Sequence, residues 1–209
     1  ELKTPVAIIS ANAEAMELIN GKNEWTGNIL TQVKRLSLLI NDMVLLSKIG
    51  ESSSKDIVLE QTDLSLLTQN SVSGFKQMIQ DQGKTLHVEV EEAVHAVAEP
   101  KLFGEIVSIL LDNAAKYCDD KGTIAVSLHP KKNKKGAILS VSNTYKAGKD
   151  VDYEQFFERF YRGDTSHNSK KAGYGIGLSM AKDMAKLMKG SMAVSYQGET
   201  ITFSVILEK

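Results

Sequence analysis

Apolar residues recur at alternating intervals of three and four near the start of the chain: Val6, Ile9, Ala13 and Met16, then Ile29, Val33, Leu36, Ile40 and Met43. Leu39 and Leu46 widen the second stripe. This spacing puts apolar side chains on one helix face and predicts two helices carrying the seam of a bundle. Asn20-Gly21-Lys22-Asn23 interrupts the pattern and reads as the turn between them. Two helices alone bury too little apolar surface to be stable, so the hairpin over 1–49 needs a partner. A second copy completing a four-helix bundle is the economical choice, and packing on the rest of the chain is the alternative.

Gly50-Glu51-Ser52-Ser53-Ser54-Lys55-Asp56 is small and polar and reads as a linker over 50–56. The remainder, 57–209, changes type repeatedly. Asp63 to about Gln82 is helical, with Asp63 as an N-cap. Leu86 to Val90 alternates as a strand does, and Ala96 to Ala98 is a second short one. Pro100 opens a helix that runs to about Tyr117, proline being favoured in a first turn. Thr123–Leu128 and Ala137–Ser142 read as a strand pair. Residues 143–172 are long and irregular. Leu178 to Met188 is helical and ends at Gly190. Met192–Tyr196 and Ile201–Leu207 close as a hairpin across Gln197-Gly198-Glu199. Strands joined by hairpins, with helices set apart, predict an α+β sandwich with helices on one face.

Composition changes this picture little. Hydrophobic residues make up 42% of the 209 and charged residues 24%, as in a soluble globular protein. A formal net charge of −1 gives no global footprint for nucleic acid or an anionic membrane. The basic loop from Pro130 to Gly136 has no interleaved aromatics and reads as a solvated turn, not a nucleic-acid patch. The single cysteine, Cys118, has no disulfide mate and no metal-ligand spacing around it. No apolar run reaches the roughly 18 residues of a membrane helix, and no signal-peptide pattern is present. Glu1-Leu2-Lys3-Thr4-Pro5 runs into the first helix without an initiator methionine, which reads as a fragment of a longer protein.

Three segments carry candidate chemistry. In Leu110-Leu111-Asp112-Asn113-Ala114-Ala115-Lys116-Tyr117, Asn113 and Lys116 share a helix face. An amide oxygen can ligate Mg²⁺, a lysine can meet phosphate as a point charge, and a tyrosine can offer a surface to a purine. An ordinary amphipathic helix end would carry the same trio. In Phe156-Phe157-Glu158-Arg159-Phe160-Tyr161-Arg162, the aromatics anchor a loop, and Arg162 suits a terminal phosphate or simply a surface. In Gly173-Tyr174-Gly175-Ile176-Gly177-Leu178, absent side chains let backbone N–H groups approach phosphate at a helix start. No strand immediately precedes the glycines, which disfavours a dinucleotide-binding turn. Asp164 to Lys171 has the composition of a mobile lid.

In this order, the three segments resemble the N box, F box and second glycine box of the histidine-kinase ATPase fold, which gyrase-type and chaperone ATPases share. Glu1-Leu2-Lys3-Thr4-Pro5 is similar to the tail of the phosphoacceptor motif of sensor histidine kinases, truncated just after the expected histidine. The resemblance covers almost the whole chain and implies a kinase core: a dimerisation and phosphoacceptor hairpin, then an ATP-binding catalytic domain. It implies Asn113 as the Mg²⁺ ligand, Lys116 and Arg162 on phosphates, and Tyr117 on the adenine. It implies Gly173, Gly175 and Gly177, with Leu178, as the lid base and phosphate cradle. Glu1 would be the acid/base beside the histidine, and Thr4 would position water for dephosphorylating a partner.

Three departures stand out. The four histidines present, His87, His95, His129 and His167, all lie outside the hairpin, so the acceptor is expected just before residue 1. The family's Asp-x-Gly-x-Gly box is replaced by Val141-Ser142-Asn143-Thr144-Tyr145, with Asn143 at the adenine-reading position and the carboxylate charge lost. Ile109 stands where the first asparagine of the N box is usual. The implied activity is ATP:protein-histidine phosphotransfer in a two-component system. ATP and Mg²⁺ would be the cofactors, a homodimer through 1–49 the assembly, and a response-regulator receiver domain the acceptor. The implied location is the cytoplasmic side of a bacterial membrane sensor, anchored only by segments absent from this chain. A non-catalytic pseudokinase scaffold, or a serine kinase of the same superfamily, are the rival readings.

Overall fold

The structure is a computed structural model that describes residues 2–51, 57–132, 135–149, 151–161 and 175–208; side chains at 35, 38, 39, 41–43 and 45–51 lie outside that description. The expected linker residues 52–56 and the expected lid, Asp164 to Lys171, therefore fall outside the described residues. The chain divides into two compact units, Glu1–Glu51 and Ser52–Lys209.

The first unit is a helical hairpin, α1 (Lys3–Asn20) and α2 (Glu24–Glu51). Gly21, at φ 77°, turns the chain at the end of α1, where a left-handed conformation suits glycine. Asn23 then caps α2 reciprocally: its Oδ1 accepts from the Thr26 N–H at 3.0 Å, and its own N–H donates to Thr26 Oγ1 at 3.4 Å. Thr26 Oγ1 also donates to Glu17 Oε1 at 3.0 Å, which ties the start of α2 back to α1. The seam expected from the sequence divides in two. Val6, Ala13, Val33 and Ile40 are buried between the helices, whereas Ile9, Met16, Ile29 and Leu36 are exposed. A contact between two helices is narrower than the apolar stripe, so the rest of the stripe faces outward. The helix also runs through Gly50 to Glu51, not stopping at the expected linker start. One glycine in a last turn costs about 1 kcal/mol, which a helix of 28 residues absorbs.

The second unit is the expected α+β sandwich. Its five-stranded sheet has the order β2-β4-β5-β7-β6, formed by Thr85–Val90, Thr123–Pro130, Gly136–Thr144, Thr200–Glu208 and Ser191–Gln197 respectively. Alternate residues point inward, among them Ile124, Val126 and Leu128 on β4 and Ile201, Phe203 and Val205 on β7. They meet α3 (Leu64–Asp81), α4 (Pro100–Tyr117) and α5 (Gly177–Leu187), whose buried sides include Ile79, Phe103, Leu110 and Met184. Asp63 caps α3 by accepting from the Leu66 N–H at 3.1 Å, and Pro100 occupies the first turn of α4.

Three details correct the reading from sequence. Not all strands pair through hairpins: β2 lies parallel to β4, joined by a crossover through β3 (His95–Ala98) and α4. A short strand β1 (Glu60–Asp63), too polar to show an apolar alternation, pairs antiparallel with β3. The irregular run begins later than residue 143, because β5 continues through Asn143 and Thr144 in register with β7. Within that run lie two short 3₁₀ turns, Lys146–Gly148 and Tyr153–Phe157.

Candidate functional site

Helix α4 presents one apolar side to the sheet, and its opposite side carries Ile109, Asp112, Asn113 and Lys116 at helical spacing, all partly exposed. Lys116 Nζ lies 2.5 Å from Asp112 Oδ2, so the cation expected to face a phosphate is held by a carboxylate one turn earlier. Asn113 sits beside this pair. Among the described residues no group of three or more His, Cys, Asp or Glu side chains converges on a point. Asn113 offers an amide oxygen, a hard donor of the kind that Mg²⁺ accepts.

The end of α4 is stitched to the end of β5. The Asp119 N–H donates to Thr144 O at 3.1 Å, and the Lys146 N–H donates to Asp119 Oδ2 at 3.0 Å. Thr144 Oγ1 accepts from the Thr123 N–H at 3.2 Å and lies 3.4 Å from Cys118 Sγ. A side chain at Gly122 would collide with these same atoms. Tyr117 and Asn143 each immediately precede one partner of the Cys118–Thr144 contact. Asn143 is 2% exposed on the inward face of β5, and its Nδ2 donates to Thr144 O at 3.0 Å. That bond uses one of the two amide N–H groups and orients Oδ1 as the acceptor.

The aromatic and glycine segments meet at their backbones. The Phe160 N–H donates to Gly175 O at 2.9 Å. Gly175 has φ +69°, and a β-carbon there would strike the Tyr161 carbonyl and come within 2.8 Å of Phe160 C. Glycine is required at 175 on both counts. Two residues on, Gly177 opens α5, and a β-carbon at 177 would lie 3.3 Å from Ile109 Cγ2. The glycine segment thus sits against α4 at the residue that replaces the usual asparagine. Ile176, at the N-cap position of α5, is apolar and makes no side-chain cap hydrogen bond to the first-turn N–H groups. Leu178, partly exposed, follows in the same turn.

Thr4 is exposed in the first turn of α1, in the first unit. Glu1, Arg162 and Gly173 lie outside the described residues. Asp112 was missed in the sequence, although its i,i+4 spacing to Lys116 was a readable signal. The packing role of Ile109 had no such signal, because its contact with Gly177 spans distant parts of the chain.

Comparison with known proteins matches residues 98–209 to the family described as histidine kinase-, DNA gyrase B- and HSP90-like ATPase. Residues 1–52 match the His Kinase A phospho-acceptor domain. The sensor protein DltS of Streptococcus agalactiae serotype V is 31% identical over 99% of this chain and 51% of its own length. The sensor protein CreC of Escherichia coli K12 is 28% identical over 93% of this chain and 40% of its own. The chain thus spans about half the length of the first curated relatives it matches. Among solved structures, the Acinetobacter baumannii histidine kinase AdeS aligns at a TM-score of 0.70 and 19% identity, over 100% of this chain and 96% of that one. Full-length ShkA in complex with AMPPNP aligns at 0.77 and 18% identity, over 99% of this chain and 43% of that one. These two share the fold.

Proposed function

Because the chain belongs to the histidine kinase family, with a phospho-acceptor domain followed by a histidine-kinase-type ATPase domain, we propose that it is the core of a two-component sensor kinase that uses Mg-ATP. The observation that carries the reading is the convergence on α4 of segments far apart in sequence. Gly177 packs on Ile109, Gly175 is bonded to Phe160, and the end of β5 with Asn143 is stitched to the end of α4.

In this site the Asn143 amide oxygen accepts from the adenine amino group, and Tyr117 packs on the ring. The uncapped start of α5, with Gly175 and Gly177, receives phosphate oxygens through backbone N–H groups. Asn113 would hold Mg²⁺ through its amide oxygen, and the ion would supply charge stabilisation to the transferring group. Lys116 exchanges its Asp112 partner for phosphate, and Gly173, Leu178 and Arg162 complete the cradle. The acceptor imidazole, expected just before residue 1, attacks the γ-phosphorus; the bond to the β-phosphate oxygen breaks, ADP leaves, and Glu1 takes the imidazole proton. The phosphoryl then passes to an aspartate of a response-regulator receiver, and Thr4 orients water in the reverse, dephosphorylating role. Catalysis is mainly positioning.

The domain limits we propose are 1–49 for the hairpin, 50–56 for the linker, whose first two residues continue α2, and 57–209 for the ATP-binding domain. The exposed Ile9, Met16, Ile29 and Leu36 support a homodimer through the hairpin. No helix among the described residues is long and apolar enough to cross a membrane. The relatives are named as sensor and signal-transduction proteins, and we take the parent to be a membrane-anchored sensor with this part in the cytoplasm.

The test is transfer of label from γ-labelled ATP onto the parent protein that carries the residue ahead of Glu1, then onto a receiver domain. Acid-labile, base-stable labelling of that residue is expected. Binding of Mg-ATP without any labelling would favour a pseudokinase scaffold, the second reading, which Asn143 in place of an aspartate motivates.

A further inference from the structure

Phe160 is a non-glycine residue at φ 67°, a conformation that bulky side chains rarely adopt. Its ring is exposed, so burial of the side chain does not hold it there. Its backbone is one half of the bridge to Gly175 O. The residues just before it are gripped by two neighbours on α5. Lys182 Nζ lies 4.5 Å from the centroid of the Phe157 ring, and Arg159 donates through Nη2 to Asp183 Oδ2 at 3.1 Å. From the other side Phe157 meets Phe203 of β7 edge-on at 6.3 Å, and Phe156 lies 6.4 Å from the same ring.

We propose that Lys182 and Asp183 are positioning residues for the nucleotide site, a clasp on Phe157 and Arg159 that fixes the Phe160–Gly175 bridge relative to the start of α5. The inference rests on the nucleotide-binding reading above. The same helix supplies both the phosphate-facing N-terminus and the clasp about one and a half turns later. Holding the aromatic segment to that helix sets the distance between the bridge and Gly177. An outlying backbone conformation maintained by surrounding contacts, beside a proposed binding site, is the expected form of such a device. The ion pair is partly exposed, with Arg159 at 56% and Asp183 at 29%, so it contributes to local geometry more than to global stability.

The test uses the full 209-residue chain, charge-reversed at each partner and at both: D183R, R159D and R159D/D183R. Two readouts are compared, exchange of the Phe160 amide hydrogen and affinity for Mg-ATP. Each single reversal should speed Phe160 exchange and weaken ATP binding by about two- to fivefold, the range open to an exposed ion pair. The amide of Phe203, in the core, should be unaffected. The swapped pair should restore both readouts, as a merely destabilised fold would not. Arg159→Gln and Lys182→Met give the same comparison without introducing repulsion, should a reversal unfold the chain. Unchanged Phe160 exchange, faster exchange with unaltered ATP affinity, or a swap that fails to restore either would each overturn the clasp. Absence of ATP binding by the unaltered chain would instead overturn the nucleotide reading, and the clasp with it.

Discussion

The position a β-carbon would take on Gly177 lies 3.3 Å from Cγ2 of Ile109, so α5 approaches α4 closely enough that a side chain at 177 would crowd the isoleucine methyl. An alanine at 177 must displace the isoleucine methyl by a few tenths of an ångström or move the start of α5. Its better helix propensity, about 1 kcal/mol, offsets part of the crowding. Gly177→Ala should therefore change the unfolding free energy by less than about 1 kcal/mol while weakening ATP binding severalfold. Adding Ile109→Ala, which removes Cγ2, should restore binding. Denaturant titration and calorimetry on the two variants check this.

Gly175→Ala is the severe change. The left-handed backbone and the Tyr161 carbonyl both oppose a side chain, and neither can move cheaply. We expect a loss of about 2 kcal/mol or more in stability. ATP affinity should fall by at least about tenfold, since that ratio corresponds to only 1.4 kcal/mol. Retention of wild-type affinity would mean that the Phe160–Gly175 bridge is irrelevant to the nucleotide.

Asp112→Asn should release Lys116. The pair is partly exposed, so stability should change by about 0.5 kcal/mol or less. Removing a negative charge beside a polyphosphate should tighten Mg-ATP binding by about two- to fivefold at low salt, with the gain fading as salt screens it. Lys116→Ala should act in the opposite direction. Isothermal titration at two ionic strengths distinguishes these outcomes.

The hairpin carries a prediction about assembly. Ile9 is 46% exposed and Leu36 44% exposed, so neither is needed to close one hairpin on itself. The unaltered chain should sediment as a dimer, and Ile9→Asp with Leu36→Asp should sediment as a folded monomer with its helical circular dichroism largely kept. A wild-type monomer at high micromolar concentration would contradict the bundle.

Local signals made much of this structure legible in advance. Asp63 before an apolar-periodic run and Pro100 at a helix start each mark an end that capping chemistry enforces, and both ends fall where the sequence places them. The spacing of Asn113 and Lys116 likewise fixes a common face. What stayed hidden depends on pairing partners. Glu60–Asp63 forms a strand because β3 is available beside it, not because its own residues alternate. The parallel placement of β2 on β4 follows from the crossover through α4. The bonds between Phe160 and Gly175, and the fit of Gly177 on Ile109, join segments that no short-range pattern relates.

In the proposed reading these segments form one Mg-ATP site. The most direct measurement is calorimetric titration of ATP into this chain with and without Mg²⁺, repeated on Asn113→Ala. The account predicts saturable, Mg-dependent binding by the unaltered chain, weakened by at least about tenfold, or 1.4 kcal/mol, in the variant. Absence of binding at millimolar ATP, or equal binding by Asn113→Ala, would contradict it.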